Sequence, residues 1–211
     1  VKKKRVYDSL MIYITDKCNR KCSDCFVSKT PFELTVSRAV EIAEIIGGVK
    51  DLYISGGEPT CHSEFEEIVA QLSMIQHERM ILATNGYKIM EYVEVLEIFD
   101  DIRISNYTET SYRNSSANIF TIEKFKKAFK GNARIYVNDK SVMLEPNSNK
   151  KPCGRENNGI VALRNDKIYG CCVGAGIDKA KSASFSIDWR DEASKLKLPC
   201  KKCVFAINKT K

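Results

Sequence analysis

Residues 6–25 read VYDSLMIYITDKCNRKCSDC. The first half, Val6 to Thr15, is β-branched, aromatic and apolar in a near-continuous run, which reads as a first strand. The second half places Cys18, Cys22 and Cys25 with three and then two residues between them. Three thiolates can hold three corners of a cubane [4Fe–4S] cluster and leave the fourth iron without a protein ligand. An iron with an open position can bind a substrate or cofactor, whereas a fully ligated cluster mostly moves electrons.

Working outward, the pattern after this loop repeats. Glu33 to Ile46 has helical spacing, with Val36, Ala39, Val40, Ala43 and Ile46 on one face, and Gly47-Gly48 stops it. Asp51 to Ser55 is a short strand that runs into Gly56-Gly57-Glu58-Pro59. Ser63 then opens a helix to about Gln76, with Glu66 at the capping-box spacing and His77 as its solvated C-terminal residue. Met80–Thr84 is the third strand, ending at Asn85-Gly86; a helix over about Lys88 to Glu97 leads to a fourth, Asp101–Ser105. A helix around Thr121–Lys130 precedes Ala133–Val137, the fifth. Short strands separated by helices imply right-handed βαβ units and a parallel sheet. Ligands of such sheets gather at the strand carboxyl ends, where four polar loops of this chain converge. The expected fold is therefore α/β, with residues 1–139 as the parallel unit. Residues 140–211 read as a small cysteine-stapled appendage, in which Asn165-Asp166 marks a two-residue hairpin turn.

With 211 residues and 43% hydrophobic content, the chain is expected to form one ordinary domain or one with a small extension. No apolar run approaches the roughly 18 residues of a membrane span, and no h-region follows the basic Val1–Arg5, so a cytoplasmic protein is expected. Nine cysteines in such a chain suggest metal ligation rather than a disulfide framework. Charge is uneven: residues 1–110 hold 13 basic and 18 acidic side chains, net −5, and residues 111–211 hold 21 and 9, net +12. That asymmetry fits either a face for an anionic partner or a lysine-rich solvated surface.

The CxxxCxxC at Cys18, Cys22 and Cys25, followed by Gly56-Gly57-Glu58-Pro59 at the next strand end, resembles the radical S-adenosylmethionine (SAM) superfamily over roughly residues 6–137. The resemblance implies a partial, open parallel βα barrel of about five strands. It further implies that SAM chelates the open iron and that a reduced cluster cleaves it to a 5′-deoxyadenosyl radical. The cofactor then carries the hard chemistry and the protein orients it. By the same resemblance Gly56 and Gly57 let the backbone approach the SAM methionine, with Pro59 completing the motif. Glu58 helps fix the SAM ammonium, and Asn85 and Ser105 contact its carboxylate or ribose. Asp24, before the third cysteine, departs from the aromatic or histidine frequent there. An external one-electron reductant of flavodoxin or ferredoxin type is implied as partner.

Cys153, Cys171 at the end of the hairpin, and Cys200-x2-Cys203 resemble a twitch domain, the shortened SPASM module that holds a second, auxiliary [4Fe–4S] cluster. Four thiolates suit that cluster to electron transfer, and the same set could build a structural zinc site. The architecture resembles the twitch-type 2-deoxy-scyllo-inosamine dehydrogenases, which implies oxidation of an alcohol or amine carbon in a small molecule. Modification of a peptide or nucleic acid is the alternative, although little chain precedes the barrel to form a peptide-binding winged helix; a non-enzymatic iron–sulfur or zinc module is a third reading. Candidates for a general base are positional only: Arg134 and Tyr136 on the fifth strand, and Cys172 beside a ligand. Cys61 and His62 read as ordinary packing.

Overall fold

Strand residues alternate their side chains between two faces, and here the two faces differ in chemistry. The computed structural model describes residues 8–22, 25, 27, 31–105, 119–138, 159–171 and 181–196. The five expected strands form as β1 (Ser9–Thr15), β2 (Val49–Gly56), β3 (His77–Thr84), β4 (Asp101–Ser105) and β5 (Arg134–Asn138). Three more follow: β6 (Ile160–Arg164), β7 (Lys167–Tyr169) and β8 (Ser182–Ser184). The sheet order is β5-β4-β3-β2-β1-β6-β7-β8. Strands β1 to β6 are parallel, and β7 and β8 turn back antiparallel. This is a partial, open βα barrel. The hairpin adds directly to it, since β6 lies in register beside β1 with Leu10 opposite Val161. The expected boundary at 139–140 lies outside the described residues.

One face carries Leu10, Ile12 and Ile14 on β1, Leu52 and Ile54 on β2, Leu82 on β3 and Ile102 on β4. It packs against helices α1 (Val36–Ile45), α2 (Phe65–Leu72), α3 (Ile119–Ala128) and α4 (Trp189–Lys195), through residues such as Ile42, Phe65, Phe125 and Trp189. Each such side chain, taken fully out of water, contributes about 1.5–3 kcal/mol, so this face holds the fold together. The inner face is different. Tyr13 and Ala162 form a small separate cluster with Met11, Val27 and Tyr169 against it. Beyond them Asp51, Tyr53, Arg79, Asp101, Arg103, Arg134 and Tyr136 follow the same alternation.

Several element bounds depart from the sequence reading. Helix α1 starts at Val36 because Thr35 caps it, its hydroxyl accepting from the Arg38 N–H at 3.2 Å. Residues 32–34 instead run extended beside the end of β1, where Leu34 N–H donates to Ile14 O at 2.8 Å. Ser63 and Glu66 form no capping box. Buried His62 takes that place: its Nδ1 accepts from the Glu64 N–H at 3.0 Å and its Nε2 meets Leu34 O at 2.8 Å, which requires the Nε2–H tautomer. Helix α2 stops at Leu72, and His77 opens β3 rather than ending a helix. The helix expected over 88–97 is a run of turns with a 3₁₀ segment at Val95–Ile98. Its backbone closes in short i→i+3 steps, as in Glu91 N–H to Lys88 O at 2.8 Å, while Ile89 and Leu96 still reach the core. Asn165 and Asp166 have φ of 47° and 57°, the both-positive signature of the expected two-residue hairpin turn.

Candidate active site

The carboxyl end of β1 holds Thr15, Asp16 and Lys17, and the cysteine loop leaves from it. The β2 end lies unusually close. Gly57 N–H donates to Thr15 O at 2.7 Å and Glu58 N–H to Lys17 O at 2.8 Å. A Cβ on Gly56 would lie 2.3 Å from Thr15 O, and one on Gly57 would lie 2.4 Å from Lys17 O. Both glycines are therefore required for one backbone to pack on another. The space they clear is filled by the root of the cysteine loop, a use of these glycines that the motif alone does not reveal.

Glu58 and Pro59 act next. Glu58 caps the 3₁₀ turn Pro59–Cys61, with proline at its first position where no N–H is needed. The Glu58 side chain is 0% exposed. Its Oε1 accepts from Thr60 N–H at 3.1 Å, Thr60 Oγ1 at 2.7 Å and Thr84 Oγ1 at 2.6 Å, and its Oε2 from Asn85 N–H at 2.5 Å. Burial raises its pKa and these four bonds oppose the rise. The carboxylate thus fastens the ends of β2 and β3 together.

Asn85 reaches the cysteine loop itself. Its Nδ2 donates to Asn19 Oδ1 at 2.8 Å and lies 3.7 Å from Cys18 Sγ. Its Oδ1 is buried and accepts no hydrogen bond among the described residues. A buried acceptor beside Cys18 suits a cationic donor such as a ligand ammonium. The Cys18 Sγ accepts from the Arg20 N–H at 3.4 Å. Burial of this sulfur, opposed by that bond and reinforced by the nearby Glu58, Cys61 and Cys22, pushes the Cys18 thiol up to about 11. The rest of the residue is exposed, as is Cys25, and Cys22 is half-buried.

Two residues that sequence reasoning missed hold the loop in place. Arg20, only 8% exposed, donates from its NH1 to Ser105 O at 2.9 Å and from its NH2 to Asn85 O at 3.2 Å. One guanidinium thereby ties the cysteine loop to the ends of β3 and β4 and engages Ser105 through its carbonyl. Arg164, the last residue of β6, pairs with Asp16 at the loop's root, its Nε 3.0 Å from Oδ1 and its NH2 against Oδ2. This pair links the loop to the hairpin that ends near half-buried Cys171. An arginine between two cysteines of the CxxxCxxC stretch is the sequence signal for Arg20; Arg164 carried none.

The remaining expected residues are scattered. Arg134 sits at the start of β5 with its Nε donating to Asp101 Oδ1 at 2.7 Å. Tyr136 is on the inner face opposite Arg103. Cys153, Cys172, Cys200 and Cys203 lie outside the described residues. Among the described residues no three His, Cys, Asp or Glu side chains are grouped to hold a single metal ion.

The radical SAM superfamily profile matches residues 12–135. The chain belongs to the radical SAM superfamily. It is 35% identical over 97 residues to a probable GTP 3′,8-cyclase of Archaeoglobus fulgidus, covering 44% of this chain and 32% of that protein. It is 24% identical over 153 residues to the GTP 3′,8-cyclase of Helicobacter pylori strain J99, covering 64% and 47%. The chain therefore spans from about a third to about half of these relatives' lengths. Among solved structures, hexahistidine-tagged anSMEcpe with bound AdoMet aligns with TM-score 0.53 at 15% identity, over 95% of this chain and 87% of that one. Streptococcus suis SuiB bound to precursor peptide SuiA aligns with TM-score 0.51 at 22% identity, over 66% and 35%. These structures share the radical SAM fold. Membership implies a [4Fe–4S] cluster and SAM, and the donors present fit both: three thiols on one loop and a vacant buried acceptor beside them. No described helix is long and apolar enough to cross a membrane.

Proposed function

We propose that this chain uses Cys18, Cys22 and Cys25 to hold a [4Fe–4S] cluster, binds SAM at the adjoining strand ends, and removes a hydrogen atom from a small-molecule substrate. When bound and reduced by an external flavodoxin- or ferredoxin-type donor, the cluster and SAM supply the 5′-deoxyadenosyl radical. The protein's part is positional. Gly56 and Gly57 bring the β2 end against the loop, Glu58 locks β2 to β3, and Arg20 fixes the loop across β3 and β4. Asn85 Oδ1 offers its free lone pair to the SAM ammonium. That unpaired acceptor beside Cys18 is the observation that carries the proposal.

The finer reading is a net two-electron oxidation of an alcohol or amine carbon. In that reading Cys153, Cys171, Cys200 and Cys203 would hold a second [4Fe–4S] cluster, which would supply an acceptor for the electron left after loss of a hydrogen atom and a proton. The Asp16–Arg164 pair supports it by coupling the first loop to the hairpin that leads to Cys171. A second reading rests on the relatives named GTP 3′,8-cyclase, and would make the substrate a purine nucleotide. Anaerobic reconstitution, iron counting and a reductant-driven SAM-cleavage assay test the proposal. About eight irons per chain and 5′-deoxyadenosine are expected. Four irons with tightly bound zinc removes the second cluster, and no cleavage by the loaded protein removes the activity.

A further inference from the structure

Among the described residues the inner face of the barrel sheet is laid out as carboxylates closely paired with arginines, with Arg103 held more loosely than the others. Asp16 is held by Arg164. Asp51 is held by Arg79, whose Nε and NH2 both lie 2.7 Å from Oδ1, and receives Ser9 Oγ at 3.4 Å. Asp101, 1% exposed, is held by Arg134 at 2.7 Å. Among the described residues Arg103 meets the other oxygen of that same carboxylate at 3.7 Å and hydrogen-bonds the Tyr53 side chain, and its own side chain is 46% exposed. Its guanidinium lies 5.3 Å from the centre of the Tyr53 ring. Across the strand pair its register partner is Tyr136, which is 48% exposed.

The place of this cation matters. Arg103 precedes by two residues Ser105, whose carbonyl Arg20 of the cysteine loop grips. At about 3.3 Å per strand residue, its Cα lies roughly 7 Å below that carbonyl, on the face the barrel encloses. Tyr53 restrains one side of the guanidinium, so its planar donors are pre-oriented, and phenols at Tyr53 and Tyr136 supply further donors. A fork of N–H groups flanked by hydroxyls matches the oxygens of a carboxylate or a phosphoryl group.

We infer that Arg103, with Tyr53 and Tyr136, is an anion subsite that anchors a carboxylate- or phosphate-bearing substrate inside the barrel. An anionic end held there leaves the body of the molecule directed toward the cysteine loop. The inference takes the word substrate from the function proposed above, but anion binding is a separate property of the face.

The test is equilibrium binding of inorganic phosphate and of malonate to the reconstituted full chain by titration calorimetry, with ionic strength held constant by potassium chloride. Saturable binding of at least one anion is expected, and the preferred one identifies the group. Arg103→Gln should weaken it at least tenfold, and Arg103→Lys, which keeps the charge but loses the fork, at least threefold. Lys167→Gln, which removes one positive charge from the same face of the hairpin, should change it less than twofold. If Arg103→Gln does not fold, Arg103→Lys decides. No saturable binding, an unchanged affinity in the Arg103 variants, or an equal loss in Lys167→Gln overturns the subsite. SAM cleavage is measured on the same wild-type preparation: its absence with anion binding intact defeats the proposed reaction and leaves the subsite standing, and the converse defeats only the subsite.

Discussion

Replacing Gly57 with alanine puts the contact between the two loops under direct test. The new methyl group would meet Lys17 O at 2.4 Å, Asp16 O at 2.6 Å and Asp16 C at 2.9 Å. All three are backbone atoms, so no side chain can swing aside. Reaching ordinary carbon–oxygen contact requires the loops to part by about 1 Å, which stretches two hydrogen bonds past the roughly 3.2 Å limit. Those are Gly57 N–H to Thr15 O at 2.7 Å and Glu58 N–H to Lys17 O at 2.8 Å. At about 0.5–1.5 kcal/mol each they account for about 1–3 kcal/mol. Residual overpacking adds about 1–3 kcal/mol. A loss of about 2–5 kcal/mol is therefore expected, a large share of the roughly 5–15 kcal/mol that holds a domain folded. The assay is urea denaturation of the reduced apo-protein under argon, with iron retention after reconstitution as second readout. Gly47→Ala is the internal control, because nothing lies within 4 Å of its added methyl group. It should stay within about 0.5 kcal/mol of the parent or gain slightly. A Gly57→Ala protein as stable as the Gly47→Ala one, with full iron content, would refute the close-contact reasoning.

Other expectations follow from the same geometry. Glu58→Gln turns one acceptor of a fully engaged carboxylate into an NH2 that must face an N–H or hydroxyl donor, so about 1–3 kcal/mol is lost per donor left unmet, read in the same denaturation experiment. Arg164→Met leaves Asp16 buried without its partner and should cost about 3–5 kcal/mol, part of which Asp16→Asn added to it recovers; an undiminished midpoint in the single variant would show the pair to be dispensable. Asn165→Val forces a β-branched residue to φ 47° and should cost roughly 1–2 kcal/mol, whereas Asn165→Gly should not. The raised Cys18 thiol means the folded apo-protein keeps this proton more tightly than the unfolded chain. Its stabilising contribution is present below the ordinary 9.0 and is lost as pH rises through about 11. Alkylation of Cys18, followed by mass spectrometry, should therefore keep accelerating to about pH 11 when folded but level off near 9 in urea; equal profiles would contradict the shift.

Much of the barrel was legible because strand and turn chemistry is local. The apolar runs at residues 9–15, 51–55 and 101–105, and the Asn165-Asp166 turn, depend on neighbours in sequence and appear as expected. The segment over 88–97 misled because its apolar spacing served burial of Ile89 and Leu96, which a chain of turns achieves as well as a helix. Helix α4 went unseen. It is only 7 residues long and is anchored by Trp189, whose burial depends on partners distant in the chain. His62 looked like packing and is buried, but its two ring nitrogens also organise the start of α2 in place of Ser63.

By itself the sequence determined the cysteine loop, the glycine pair and their order at successive strand ends, since a ligand spacing and a backbone without Cβ are properties of the residues present. Only the tertiary structure decided how those parts meet. It fastened Glu58 to Thr60, Thr84 and Asn85, joined the hairpin to β1, and sent Arg20 and Arg164 across the sheet to hold the loop. It also left Arg103 half-exposed on the inner face, with Asp101 no nearer than 3.7 Å. Each of these outcomes depends on which distant carbonyl or carboxylate lies within about 3 Å of a long side chain, and residue order along the chain does not contain that distance.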